Sequence, residues 1–367
     1  MADIQPRESP PAGNHAARDH RIVRLGSTDN CTQSLRYETD PRLPEPRGEL
    51  SEAVVDLLRN PAPDHAVLPD PDHAEPYGDD LQLALHVCYE LHYRGFDGID
   101  PAWEWEPDLL RLRAAMERPF LSALRFETPG GADVRQELDA LLVPPARDSG
   151  IAGYLAAEGS YEQLREFFVH RSIYHHKEGD PHAWVIPRLR GQEKASLVAV
   201  EFDEFGGGRG ERLHAQLYVN LMAAAGLNTG YLHYLGAVPA PMLAVVNVMS
   251  LFGLHRQHRG ALIGQLAAAE ITSSPAARRM LIALQRLGAA PECLQFYAEH
   301  VEADAVHEQV MRRDVVANLL AHEPDLTESV VLGIQSTNLL EDRFCETMIR
   351  DWHAGDSSLR TGFAITD

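Results

Sequence analysis

Residues 300–307 read His-Val-Glu-Ala-Asp-Ala-Val-His, and intervals of four and three place His300, Asp304 and His307 on one face of a helix. Two imidazoles and a carboxylate facing one way make half of a first-row transition-metal site. Val301, Ala303, Ala305 and Val306 leave the other side weakly apolar, so a solvated polar face fits the same pattern. One helix presents only one side of a coordination sphere, and further ligands must come from facing helices. Glu270 is a candidate, as the one ionisable group in the apolar run Leu262–Ile271. A buried carboxylate without a partner is costly, so it should be protonated, paired or bound to a cation; an exposed Glu on a small-residue helix is the alternative.

The segment Phe202-Asp-Glu-Phe-Gly-Gly-Gly-Arg-Gly-Glu-Arg-Leu-His214 admits two ligand pairs. Glu211 and His214 have the E-x-x-H spacing by which bundle helices supply a carboxylate and an imidazole to a di-iron site. Glu204 and His214 stand ten apart, about 15 Å along an ideal helix, and share a centre only if the chain breaks between them. Gly206, Gly207, Gly208 and Gly210 supply that break. Without G-K-S/T or a preceding strand, these glycines do not read as a phosphate cradle. A further group, Tyr174-His-His-Lys-Glu-Gly-Asp-Pro-His182, holds three imidazoles and two carboxylates, and by itself reads as a charged helix end followed by a turn.

The elements that must position these residues are helical. Helix patterns run over Glu49–Arg59, from Leu81 to Tyr93, and over Asp108–Met116, Val134–Leu142, Ser160–Lys177, Gly191–Phe205, Glu211–Ala225, Met242–Phe252, Leu262–Ile271, Ala276–Leu287, Pro291–Leu319 and Leu326–His353. Breakers separate them at Gly179-Asp180-Pro181, the triple glycine, Pro239 and Pro275, and no alternating strand pattern competes. The expected fold is all-α. Residues 1–48, rich in Pro, Arg, Asp and Asn, read as a poorly ordered or extended arm, followed by a helical region over 49–125 and a core over 133–355.

Composition narrows the function. The 367 residues carry 33 basic and 54 acidic side chains, a net charge of −21 that disfavours nucleic acid and anionic membrane surfaces. Cys31, Cys88, Cys293 and Cys345 form no C-x-x-C pair and no secretory leader is evident, which reads as a reduced, cytoplasmic protein. The apolar stretch Ala237–Leu254 is interrupted by Pro239, Pro241, Asn247 and Ser250, and is expected to be a buried core helix rather than a membrane span.

Taken in order, these residues resemble the haem-oxygenase-like di-iron oxidases and oxygenases, whose longer members carry an added N-terminal helical layer. The resemblance implies a haem-oxygenase-like bundle. It assigns a first Glu to Glu178, a bridging Glu to Glu204 with His214 downstream, a later Glu to Glu270, and the closing H-x3-D-x2-H to His300, Asp304 and His307. It thereby favours Glu204 over Glu211, with Glu204 or Asp304 bridging two metals at the reacting centre. Haem oxygenase itself would need an axial His near the start of the first core helix, where His170 and His175 are available.

Four carboxylates and three imidazoles without a thiolate suit two ferrous ions that activate dioxygen with electrons from an external donor. The resemblance implies an O2-dependent oxidoreductase. The expected reaction is N-oxygenation of an amine on a small polar biosynthetic precursor, with Tyr174, Asn247 and Ser250 as candidate orienting groups and Met249, Leu251 and Phe252 as candidate pocket walls. Cleavage or desaturation of a carbon chain is the second reading, a non-catalytic metal- or ligand-binding bundle the third. The N-terminal layer is expected to serve a homodimer.

Overall fold

In a computed structural model, the protein is described over residues 40–60, 69–143, 149–363 and 365, with backbone alone at 304 and 305. Most of the expected arm, 1–39, and Cys31 lie outside the described residues. Residues 40–48 run extended, with Pro41 accepting a hydrogen bond from the Asp97 amide.

Among the described residues there is no strand. The helices are α1 (Glu49–Arg59), α2 (Asp79–Glu90), α3 (Pro107–Glu127), α4 (Val134–Leu141), α5 (Gly150–Ala157), α6 (Tyr161–His175), α7 (Asp180–Ala183), α8 (Gly191–Glu204), α9 (His214–Ala224), α10 (Ala240–Leu254), α11 (Arg259–Leu287), α12 (Pro291–Gln309), α13 (Ala317–His322) and α14 (Thr327–Ala354). A π-helical turn, Val310–Val316, joins α12 to α13 and packs on α8. Residues 38–367 form one compact unit, so the helices of 49–125 and of the core share packing.

The break expected at Pro275 is absent: the proline lies inside α11, which continues, and α3 likewise runs through Pro119 to Glu127, past the expected Met116. A proline removes one hydrogen bond, but α11 keeps Ala277, Met280, Ala283 and Leu284 buried beyond it. In the turn before the proline two hydroxyls bond back to the helix, Thr272 Oγ1 donating to Ala268 O and Ser273 Oγ to Glu270 O. Tertiary burial thus outweighs the local penalty. The short α5 carries little polar periodicity and had no sequence signal.

The centre of the bundle is set by α11 against α14. A Cβ built at Gly264 would collide with Val330 O, and one at Gly333 with Ala261 O, so these backbones meet with no side chain between them. That approach fixes the depth of α11, on which Glu270 lies less than two turns beyond Gly264. The expected core helix α10 is buried almost throughout, and no described helix is long and apolar enough to cross a membrane. The N-terminal layer sits on α10 through polar contacts: Asn247 Nδ2 donates to the Gln82 side chain and backbone, His86 Nδ1 meets Asn247 Oδ1 at 3.2 Å, and Tyr93 OH meets Ser250 Oγ at 3.0 Å. Asn247 and Ser250, expected to orient substrate, are engaged by this layer instead.

Two outcomes test this packing. Gly333→Ala forces two helix backbones apart and should lower unfolding free energy by about 3 kcal/mol in urea titration. His170 is fully buried, and burial lowers its imidazole from 6.5 to about 3. The unfolded chain therefore takes up a proton below about pH 6.5 that the folded chain refuses, so stability falls as pH drops from there toward 3. Between pH 6.5 and 4 the wild type should lose about 1.4 kcal/mol more per pH unit than His170→Gln.

Candidate metal centre

Five segments converge on one buried region. Glu178 lies in the turn after α6, which Gly179 closes at φ 87°. Glu204 ends α8, His214 opens α9, Glu270 lies on α11, and His300 and His307 on α12. The ligand atoms of Glu178, His214 and His300 lie within 4.8 Å of one another, as do those of Glu204, Glu270 and His307. All six residues are buried. The Asp304 backbone is on α12 between the two histidines, and its side chain lies outside the described residues.

Glu204 connects the two triplets: its Oε2 is 2.7 Å from His214 Nδ1 and its Oε1 is 3.9 Å from His307 Nδ1. Helical spacing alone would hold Glu204 and His214 far apart. The chain folds back instead, with Gly206 at φ 67° and so close to Arg212 that a Cβ would lie 2.5 Å from the Arg212 carbonyl carbon. Only glycine satisfies both demands. Glu211, the E-x-x-H alternative, falls on an exposed turn.

Hydrogen bonds outside the triplets orient their members. His300 Nδ1 donates to Phe296 O at 2.8 Å, which leaves Nε2 facing Glu178 Oε1 at 3.6 Å. His307 Nδ1 meets Glu270 Oε2 at 3.0 Å, and its Nε2 meets the exposed Asp203 Oδ2 at 3.2 Å. His175 Nδ1 lies 2.8 Å from Glu178 Oε1. Such partners fix imidazole tautomer and carboxylate orientation around metals. His170 Nε2 instead bonds Ser358 Oγ at 3.0 Å, so each His proposed as a haem ligand has one ring nitrogen engaged within the protein.

The electrostatics suit a cation. Burial would raise the Glu178 carboxyl, but the His175 and His300 imidazoles beside it hold it well below the usual carboxylate range. His214 is lowered by burial yet raised overall by Glu204. Glu178 Oε2 is buried with no hydrogen-bond partner, and so are both oxygens of Glu201, one turn before Glu204. Burial, with Glu204 and Glu270 adding to it, pushes Glu201 well above its ordinary value. The sequence reading missed Glu201, although Glu201-x-x-Glu204 put two carboxylates on one helix face. It also missed Gln265, whose Oε1 meets Nε2 of His182 at 2.6 Å. Tyr174, raised by burial and then by Glu178, Glu204, Glu270 and Glu201, keeps its phenolic proton beside the carboxylates.

A cleft of about 270 Å³ reaches His214 from the surface, lined by Asp203, Gly206, Arg212, His214, Glu299 and Glu302 among others. Met249, Leu251 and Phe252, expected as pocket walls, are not among its lining residues; they are buried on α10. Residues 165–342 match the haem-oxygenase-like family described as iron-containing redox enzymes. The comparison with curated proteins finds no match.

The fold-back at Gly206 separates the two glutamates experimentally. Glu204→Ala should abolish or sharply reduce iron binding in an anaerobic ferrous titration, whereas Glu211→Ala should bind iron as the wild type does. Gly206→Ala, strained at positive φ and blocked by Arg212, should weaken iron binding at least tenfold while leaving the helical content by circular dichroism in place.

Proposed function

We propose, on the match of residues 165–342 to the haem-oxygenase-like family of iron-containing redox enzymes, that the chain is a di-iron oxygenase that N-oxygenates an amine of a small polar precursor. The observation that carries the reading is the pair of buried triplets joined by Glu204, whose two oxygens face one triplet each. In this reading Glu178, His214 and His300 would hold one iron and Glu270 and His307 the other, with Glu204 shared between the two groups and Asp304 the seventh ligand that the resemblance implies. Four carboxylates then offset the four positive charges of two ferrous ions. Two ferrous ions bound there would supply electrons and open positions for dioxygen activation, with an external reductant as the electron source.

The chain's own residues set the surroundings. The Phe296 carbonyl and the Asp203 carboxylate hold His300 and His307 in the tautomers that turn Nε2 and Nδ1, respectively, toward the centre. Tyr174 keeps its phenolic proton at the edge of the site and can donate a hydrogen bond there, and burial with the neighbouring Glu204 and Glu270 raises Glu201 well above its ordinary value. Asp203, Glu299 and Glu302 give the cleft at His214 an acidic lip with Arg212 tied to Glu299 at 2.9 Å. That lining favours a protonated amine over a fatty acid, which would need a long apolar channel.

Anaerobic loading should give two ferrous ions per chain. Oxygen consumption should then rise with an amine from a panel of amines, amino acids and fatty acids, and product masses should show oxygen gained on nitrogen. Loss of carbon dioxide or of two hydrogens from a carbon chain would replace N-oxygenation with carbon-chain oxidation; iron uptake with no substrate-dependent oxygen consumption would indicate a binding protein.

A further inference from the structure

The two residues that precede Glu178 are gripped by the N-terminal layer. Lys177 Nζ lies 2.8 Å from Glu90 Oε2, the last residue of α2, and the side chains of both are almost entirely buried. The Lys177 ammonium also stands 4.2 Å from the centre of the Tyr93 ring. Glu90 Oε1 accepts from Tyr231 OH at 2.7 Å. Arg94, one turn beyond Glu90, donates from its guanidinium to His176 O at 3.2 Å and stacks 4.0 Å from the Tyr231 ring centre. Glu90, Tyr93 and Arg94 all lie outside the matched segment 165–342.

A buried ion pair is a weak device for stability, because desolvation offsets its attraction and apolar replacements often do as well. It is a strong device for location. Here it fixes the Lys177 side chain while Arg94 fixes the backbone at His176, and Glu178 is the next residue along the chain. Consecutive Cα atoms are about 3.8 Å apart, so the two anchors and the closure at Gly179 leave the Glu178 carboxylate little freedom. Metal ligands must be placed to about 0.2 Å, and a turn bearing one ligand does not achieve that through its own hydrogen bonds.

We propose that Glu90, with Lys177 and Arg94, is a positioning element for the metal half-site of Glu178, His214 and His300, so that the N-terminal layer belongs to the metal centre. The inference rests on Glu178 being a ligand, as the proposed function has it. Its prediction is selective: disturbing the grip weakens one of two iron-binding steps and leaves the step of Glu270 and His307 unchanged.

The test is the double variant Glu90→Gln/Lys177→Met in the full chain, which removes both charges and leaves no unpaired ion. An anaerobic ferrous titration, repeated with cobalt(II) to follow its visible bands, should show one step weakened by about tenfold to a hundredfold, its band pattern altered, and the other step as in wild type. Lys177→Met alone strands the Glu90 charge and should lower the melting temperature below that of the double variant, which separates folding from positioning. Arg94→Met, at an exposed side chain, is the milder variant and should weaken the same step less; Arg94→Lys should restore part of it. Two unchanged steps in the double variant and in Arg94→Met, or equal weakening of both steps, would overturn the proposal. A wild-type chain that binds no iron at Glu178, read from Glu178→Ala titrating like wild type, would remove the functional reading itself.

Discussion

Three glutamates brought together in the interior are the constraint on which the rest of this structure depends. Glu178, Glu204 and Glu270 are each less than a tenth exposed, and their oxygens face imidazoles of His175, His214, His300 and His307 at distances of 2.7 to 3.9 Å. Buried carboxylates repel one another in a weakly polarisable interior, and imidazoles compensate only in part. The unpartnered oxygens of Glu178 and Glu201 mark where compensation is incomplete. A divalent cation satisfies that demand more fully than protons do, which is why the arrangement reads as a metal centre rather than as a polar core.

Holding such a set against its own repulsion requires rigid supports, and each ligand segment has one. Direct backbone contact between α11 and α14 at Gly264 and Gly333 fixes the helix of Glu270. The π-helical turn after His307 packs on α8, the helix that ends in Glu204. Tyr218 OH donates to Phe168 O at 2.7 Å and ties α9, which His214 opens, to α6. Arg171 holds Glu341 through both guanidinium nitrogens and ties α6 to α14. π-Helical turns recur at functional sites because they shift the register of the residues that follow, and here the shift comes directly after the last ligand candidate.

The access side has a different character from the core side. Toward α10 and α2 the centre is backed by apolar side chains and by polar groups already satisfied by one another, such as Asn247 with Gln82 and His86. Toward solvent it is backed by the acidic, glycine-lined cleft at His214. This asymmetry leaves the cleft as the polar, open side of the centre and α10 as its closed side.

Much of this was legible in the sequence because it is local. The 3.6-residue period of α12 put His300, Asp304 and His307 on one face, and Glu270 stood out as a lone charge in an apolar run, since both signals need only a few neighbouring residues. Resemblance, rather than spacing, singled out Glu178 and preferred Glu204 to Glu211. The sequence also overstated Pro275, whose local cost is outweighed by burial on α11 that no window of residues contains. What only the tertiary structure decided is where chain segments remote from one another meet. It folded the glycine loop so that Glu204 reaches His214, left Glu211 in solvent, turned Glu201 inward without a partner, and closed an ion pair between Glu90 and Lys177 across 87 residues. Periodicity fixes the face of a helix, but desolvation and charge pairing depend on which faces meet, and that is a property of packing alone.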